Sequence, residues 1–179
     1  MKTLKNLKLI LNGLLKFTKK KSSILLFFLL FPFQSFALDK QEHKFIRQID
    51  YCLTVLYNRI DEERHISKDI IIAMATIESD YGRSRFAVQG YNFFGIRTFD
   101  LTKPHIKPKA ISNPKFGVRK FNNFCGSVAY TIWTLNEHPA HEEFARTKNV
   151  NDLYNWATDP DYRNKIRSRI KIHLEKSHN

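Results

Sequence analysis

The fold depends most on the stretch Ser67-Lys68-Asp69-Ile70-Ile71-Ile72-Ala73-Met74-Ala75-Thr76-Ile77. Serine is a favoured N-cap residue, so a helix is expected to begin at Ser67. The residues after it are apolar on nearly every side of such a helix, which is typical of a helix buried inside a domain. The sequence therefore predicts a central helix over 67–77, with Gly82 as its C-cap.

Other helices are predicted around this one from apolar residues that recur every three or four positions. The stretch 91–121, called the β-lobe below, is different because it contains glycines, prolines and no helical period, which favours loops with a short hairpin. The expected fold is thus a predominantly helical α+β domain over 38–179. The helical positions are Phe45, Ile49, Leu53, Leu56 and Ile60, then Phe124, Val128, Ile132 and Leu135, then a short helix over 140–145, and finally Tyr162, Ile166 and Ile170.

The first 37 residues have the pattern of an export signal. Seven lysines and no acid lie within residues 1–21, the apolar run 24–31 follows, and Ser35-Phe36-Ala37 offers small residues at a cleavage site. The apolar run is shorter than the roughly 20 residues that a spanning helix needs. We expect cleavage after Ala37, with an uncleaved leader that associates transiently with the membrane as the alternative.

Composition narrows the possible partners. With 42% hydrophobic and 26% charged residues the chain is globular. Without the leader it has 23 basic and 17 acidic residues, a balance that suits an anionic cell-wall or membrane surface. No nucleic-acid motif is present, so no nucleic-acid partner is expected, and the protein is expected to be a monomer.

Export would permit a disulfide between Cys52 and Cys125, but spacing alone leaves the pairing open.

Glu78 is the candidate proton donor. It continues the helical face of Ile71 and Ala75, and it lies in the last turn, where the helix dipole disfavours negative charge. Both effects favour the protonated carboxyl that general-acid catalysis requires. The alternative is an exposed glutamate at a frayed helix end.

Two further residues are candidates for catalysis. Asp100 is the one carboxylate between Tyr81 and Asn136, so a second acid from this region would have to be Asp100, although a loop aspartate commonly forms a turn. Tyr130 points roughly 200° away from the apolar stripe of its helix, towards either a cleft or a secondary core.

No cofactor or metal site is predicted. His138 and His141 have a ligand-like spacing, but Pro139 interrupts them and no third ligand is evident, so both are interpreted as surface residues. Phosphate-binding loops, nucleophile elbows and paired-cysteine motifs are absent from the sequence.

Several motifs resemble the glucosaminidase family, glycoside hydrolase family 73, in the order in which that family has them. The segment 75–87 is similar to its Ala-x-x-Glu-Ser-x-aromatic-Gly-x-Ser signature, with Tyr81 in place of the usual Trp. Leu135-Asn136-Glu137-His138-Pro139-Ala140-His141 resembles the Bax-type branch, with His141 in place of Tyr. The other matching segments are Asn92-Phe93-Phe94-Gly95-Ile96-Arg97, Val118-Arg119-Lys120-Phe121 followed by Ser127 and Tyr130, and Ala157-Thr158-Asp159-Pro160-Asp161-Tyr162, within a motif core of about 67–172.

The resemblance implies a lysozyme-like fold, in which a small β-lobe covers a substrate groove. It implies an exported enzyme, periplasmic or extracellular, that cuts β-N-acetylglucosaminyl bonds in the glycan strands of peptidoglycan. It assigns catalysis to Glu78 and Tyr130, and substrate binding to Asn92, Phe94, Gly95 and Tyr81. Many members have a second acid in the lobe, where this chain offers Asp100 alone. Assistance by the substrate's acetamido group, a lytic transglycosylase, and a non-catalytic peptidoglycan-binding protein therefore stay open as alternatives.

Overall fold

A computed structural model describes residues 39–109 and 111–177 of the protein, and the predicted leader lies outside them. None of the helices in these ranges is long and apolar enough to cross a membrane. The helices are α1 Lys40–Tyr57, α2 Lys68–Ser79, α3 Arg85–Gly90, α4 Phe124–Glu137, α5 Glu142–Thr147 and α6 Tyr162–Ser177, with 3₁₀ turns at Glu62–Arg64, Pro139–His141 and Val150–Asp152.

Helix α2 is the centre of the domain, as the sequence predicts. Its residues from Ile70 to Thr76 are all buried, and it packs against α1 on one side and α6 on the other. The helix ends differently from the prediction, because Asp80 rather than Gly82 is the C-cap. Asp80, Tyr81 and Gly82 all have positive φ, and a Cβ at Gly82 would lie 2.7 Å from the Phe45 ring. Gly82 is therefore required for a tight turn against α1.

The helical body, which consists of α1, α2, α4, α5 and α6, surrounds one apolar core. Fully buried members include Ile49, Leu53, Ile71, Leu135 and Ile166, each on a different turn of these helices. A disulfide between Cys52 and Cys125 joins α1 to α4, with 5.3 Å between the two Cα atoms. This settles the pairing that the sequence leaves open.

The β-lobe contains a three-stranded antiparallel sheet rather than a single hairpin. The strands β1 Arg97–Thr98, β2 His105–Ile106 and β3 Gly117–Arg119 are arranged in the order β1-β3-β2. Gly117 permits this pairing, because a Cβ there would lie 2.5 Å from the His105 ring. Helix α3, which precedes the β-lobe, is missed by periodicity because it is only six residues long. The prediction of a mostly helical α+β fold with a small β-lobe is confirmed.

Candidate active site

A groove of about 430 Å³ lies where the β-lobe meets the helical body. The residues that line it come from the end of α2, the first part of the β-lobe, α4, and the segment between α4 and α6. They are Glu78, Phe94, Gly95, Ile96, Arg97, Tyr130, Thr134, His141, Trp156, Ala157 and Thr158.

Glu78 is the carboxyl group of this groove. It is the penultimate residue of α2, and it is mostly shielded from solvent. Burial raises its pKa, and contacts with the Tyr162 hydroxyl and the Trp156 indole oppose that rise in part. The end of the helix also disfavours negative charge. The side chain is thus biased towards its protonated form, as a proton donor requires.

Tyr162 lies beside this carboxyl. Its side chain is only 5% exposed, and burial, followed by the nearby Glu78 charge, raises the pKa of its hydroxyl well above the usual range. The hydroxyl is close enough to influence Glu78, yet within the described residues it makes no hydrogen bond of good geometry. It is therefore a neutral donor next to the acid, with spare capacity to stabilise the carboxylate once its proton has been transferred.

Gly95 leaves space directly above the acid. Its φ is +65°, and a Cβ at this position would lie 3.5 Å from Glu78 Oε2. A side chain here would occupy the approach to the carboxyl group. Glycine accordingly serves two needs, the left-handed backbone and an open path for a ligand.

Asn92 holds the loop that carries Gly95. It is 1% exposed, its Nδ2 donates to the carbonyl oxygens of Ile96 and Arg119 at 2.9 Å each, and its Oδ1 accepts from the Ile96 N–H at 3.0 Å. Asn92 does not line the groove, whereas Phe94 of the same loop does. The structure thus places Asn92 where it positions the loop instead of touching a ligand.

Tyr130 faces the groove, away from the apolar stripe of α4, in the direction that the helical angle predicts. The Arg119 guanidinium lies 4.4 Å from its ring centroid, and the rings of Phe121 and Trp133 are 5.9 Å and 5.5 Å away. Aromatic and cation–π contacts of this kind fix the orientation of the ring.

Besides Asn92, two more of the predicted site residues do not line the groove, namely Asp100 and Tyr81. Asp100 is exposed in the β-lobe. Its carboxylate accepts hydrogen bonds from Thr102, which lower its pKa. It therefore forms a turn, which is the alternative role that the sequence offers for a loop aspartate. Tyr81 is 5% exposed and bonds to Arg169 on the α6 side of the body. Neither lines the groove, so the geometry offers no support for Asp100 as second acid or for Tyr81 as a sugar contact.

The interpretation of His141 as a surface residue is wrong. It is 8% exposed, it lines the groove, and its ring centroid is 5.7 Å from that of Trp156. Burial, with a smaller contribution from His138, lowers its pKa and keeps the ring neutral. His138 is exposed as expected. Within 39–109 and 111–177 no cluster of three potential metal ligands is present.

Periodicity includes Tyr162 in the last helix but does not place Tyr162, Trp156 or His141 at the groove. Tyr162 and Trp156 contact Glu78, and His141 lines the same groove, through packing between segments that are more than sixty residues apart in sequence. The available signal was motif order, because His141 ends the Leu-Asn-x-His-Pro-Ala segment and Tyr162 ends the Ala-Thr-Asp-Pro segment.

The family model of the glucosaminidases, described as mannosyl-glycoprotein endo-beta-N-acetylglucosaminidase, matches residues 55–174. The chain belongs to the glucosaminidase family. Members are glycoside hydrolases, and the match includes Glu78 and the other residues that line the groove.

Two known proteins are similar to this glucosaminidase-family chain. Exo-glucosaminidase LytG of Bacillus subtilis is 27% identical over 153 residues, which are 75% of this chain and 52% of LytG, so the chain spans about half the length of that relative. The crystal structure of the catalytic domain of the autolysin Auto from Listeria monocytogenes superposes with a TM-score of 0.60 at 18% identity, over 90% of this chain and 97% of that domain. The second likeness confirms the fold.

Proposed function

We propose that the protein is an exported peptidoglycan hydrolase that cuts β-N-acetylglucosaminyl bonds, with Glu78 as the general acid. The observation that carries the proposal is the protonation-biased Glu78 carboxyl beneath Gly95, inside a groove of about 430 Å³. Family membership and the names of the relatives support the substrate class. The disulfide is consistent with export.

In the first step Glu78 donates its proton to the glycosidic oxygen, and the bond from that oxygen to the anomeric carbon breaks as an oxocarbenium-like state develops. The charge left on Glu78 is stabilised by the Tyr162 hydroxyl and the Trp156 indole N–H, both of which already lie beside the carboxyl. Tyr130 faces the same space with its ring fixed by Arg119, and it orients or stabilises the anomeric centre.

The nucleophile for the anomeric carbon is either water or a group of the substrate, because the described groove offers no second carboxylate. Paired carboxylates of glycosidases are about 5–10 Å apart, and among the described groove-lining residues Glu78 is the one carboxylate. We therefore favour attack by the acetamido oxygen of the N-acetylglucosamine unit on C1. Water then opens the cyclic intermediate, and the Glu78 carboxylate accepts the proton from that water.

The same single carboxylate would serve a lytic transglycosylase, which is the second candidate. In that reaction a hydroxyl of the substrate replaces water, and the product is an anhydro sugar. The two reactions differ by one water in product mass and in the sugar at the new end. Two finer points also remain proposals. One is endo cleavage, where LytG is named for exo cleavage, and the other is a Bax-type position within the family.

The test is digestion of purified peptidoglycan by the wild-type protein and by Glu78→Gln, with products analysed by mass spectrometry. We expect new reducing ends at N-acetylglucosamine from the wild type, and a loss on the order of 10²–10⁴-fold in the variant. Glu63→Gln, on an exposed 3₁₀ turn, is the matched control and should retain activity. Anhydro products would favour the transglycosylase, and comparable activity of Glu78→Gln would remove Glu78 as the acid.

A further inference from the structure

The positive charge of the domain is concentrated in the β-lobe. Residues 91–121 contain seven basic residues and one acid, whereas the rest of 38–179 contains sixteen basic and sixteen acidic residues. The whole basic excess of the domain therefore lies in about a fifth of its length. The seven residues are Arg97, Lys103, Lys107, Lys109, Lys115, Arg119 and Lys120.

These charges are mostly not neutralised by ion pairs. Within the described part of the β-lobe the one ion pair joins Lys103 to Asp100, at 4.0 Å. The helical body, by contrast, pairs its charges repeatedly, for example Arg64 with Glu137 and Lys68 with Asp50, both at 2.8 Å. Basic side chains without a carboxylate partner are available to an anionic ligand, and the excess of positive charge in 91–121 would attract one.

Arg97 brings this charge into the groove. It is an exposed residue of β1 that lines the groove, and its guanidinium lies 4.6 Å from the Phe116 ring centroid, which orients it. Among the described residues no carboxylate forms an ion pair with it, including Glu78, the one carboxyl group that lines the same groove. An oriented and unpaired guanidinium is suited to binding a carboxylate.

We infer that the β-lobe recognises carboxylates of the stem peptides attached to the glycan strand, with Arg97 as the contact nearest the cleaved bond. This inference rests on the proposed function, since it concerns what is attached to the strand in the groove. N-Acetylglucosamine itself is neutral, whereas the stem peptides carry carboxylates beside the sugars, and these complement the net charge of six in residues 91–121. The β-lobe therefore favours strands whose stem-peptide carboxylates are free over strands in which they are amidated.

The test compares peptidoglycan with the same material after its carboxylates have been converted to amides by carbodiimide and ammonia. The glycan and the peptides are then identical apart from charge. We expect the wild type to cleave the unmodified material about fivefold faster, the effect of one or two exposed ion pairs. The preference should fall as salt rises from 0.05 to 0.5 M, because salt screens exposed charges.

Variants locate the effect. Arg97→Gln should lose most of the preference, Arg97→Lys should keep part of it, and the triple variant Lys107→Gln, Lys109→Gln, Lys115→Gln should lose part. The matched control removes three exposed charges, two on α1 and one two residues after it, through Lys44→Gln, Arg47→Gln and Arg59→Gln. It should keep the full preference.

The outcomes separate the two proposals. Equal rates on both materials would overturn the inference and leave the hydrolase proposal standing, whereas cleavage of neither material would defeat both. If the triple variant in the lobe lost binding to vesicles of anionic phospholipid while its preference between the two wall materials stayed the same, the lobe would be a membrane surface and the inference would be wrong.

Discussion

The helical body and the β-lobe are built on different principles. The body has a continuous apolar core and a disulfide, and its central helix is buried along most of its length. The β-lobe has three strands of two or three residues, and its first loop is joined to β3 by the buried side-chain amide of Asn92 and by the backbone hydrogen bond from Arg119 to Ile96. The body is stabilised mainly by area removed from water, whereas the β-lobe buries only a few apolar side chains, such as Ile106 and Val118, and depends more on specific polar contacts.

This difference explains how the groove is assembled. The body supplies Glu78, the proposed acid, from its buried central helix, and the β-lobe supplies the open cover in which Gly95 faces Glu78. The distance between Gly95 and Glu78 therefore depends on both regions, although we expect the body to keep its fold under substitutions that disrupt the β-lobe. The following predictions test the two regions separately, beginning with the largest expected effect on stability.

Removing the disulfide should have the largest effect. The bridge closes 73 residues between α1 and α4, for which chain entropy predicts about 4 kcal/mol of stabilisation. Urea unfolding of the double variant Cys52→Ala, Cys125→Ala should show a correspondingly lower midpoint, and reductant should lower the midpoint of the wild type but not of the variant. A difference below about 1 kcal/mol would mean that the core alone holds α1 against α4.

Removing the Asn92 amide should disrupt the β-lobe more than the body. Asn92→Ala leaves the Ile96 and Arg119 carbonyl oxygens without their side-chain donor, at a cost of about 2–3 kcal/mol. Hydrogen exchange should become faster in 92–121 while α1 and α2 stay protected, and cell-wall lysis should fall because Gly95 is no longer held above Glu78.

The control for this change is Asn122→Ala, an exposed asparagine at the end of the same region. It should leave both exchange and lysis unchanged. Equal loss of protection in the body and the β-lobe of Asn92→Ala would show that the two regions unfold together, contrary to the comparison.

The two regions also differ in how well the sequence predicts them. The apolar run 67–77 indicates α2, and the i, i+4, i+7 relation of Ile71, Ala75 and Glu78 places Glu78 at the end of a buried face of that helix, because helical geometry is local. The sheet order and the partners of Glu78 are set by packing between distant segments. No periodicity places Tyr162 beside Glu78, or Cys52 within 5.3 Å of Cys125. His141 was misassigned for the same reason, since its burial depends on Trp156.

Replacing the acid should stabilise the body slightly while abolishing activity. The folded state raises the pKa of Glu78, so charging this group costs more in the folded than in the unfolded protein. Its favourable contribution is present below the unfolded pKa and is lost as pH rises through the folded pKa. The free energy of unfolding of Glu78→Gln should therefore match that of the wild type near pH 4 and exceed it by about 0.5–1 kcal/mol near pH 7.5, as urea unfolding at the two pH values would show. A variant that unfolds instead would give Glu78 a structural role.

The smallest effect is expected for Asp100→Asn, and it decides how the second step of the reaction proceeds. The carboxylate of Asp100 accepts hydrogen bonds from the backbone and the hydroxyl of Thr102, and the asparagine oxygen can accept the same bonds, so the turn should persist. Because Asp100 does not line the groove, the rate of cell-wall lysis should stay within about twofold of the wild-type rate. A loss of more than about tenfold, with unchanged far-UV circular dichroism, would mean that the β-lobe moves to bring Asp100 to the substrate as a second acid. Near-normal activity of Asp100→Asn would exclude Asp100, the one carboxylate of the described β-lobe, as the second acid. In that case glycan from which the acetyl groups have been removed, and which lacks the acetamido oxygen, should resist the enzyme.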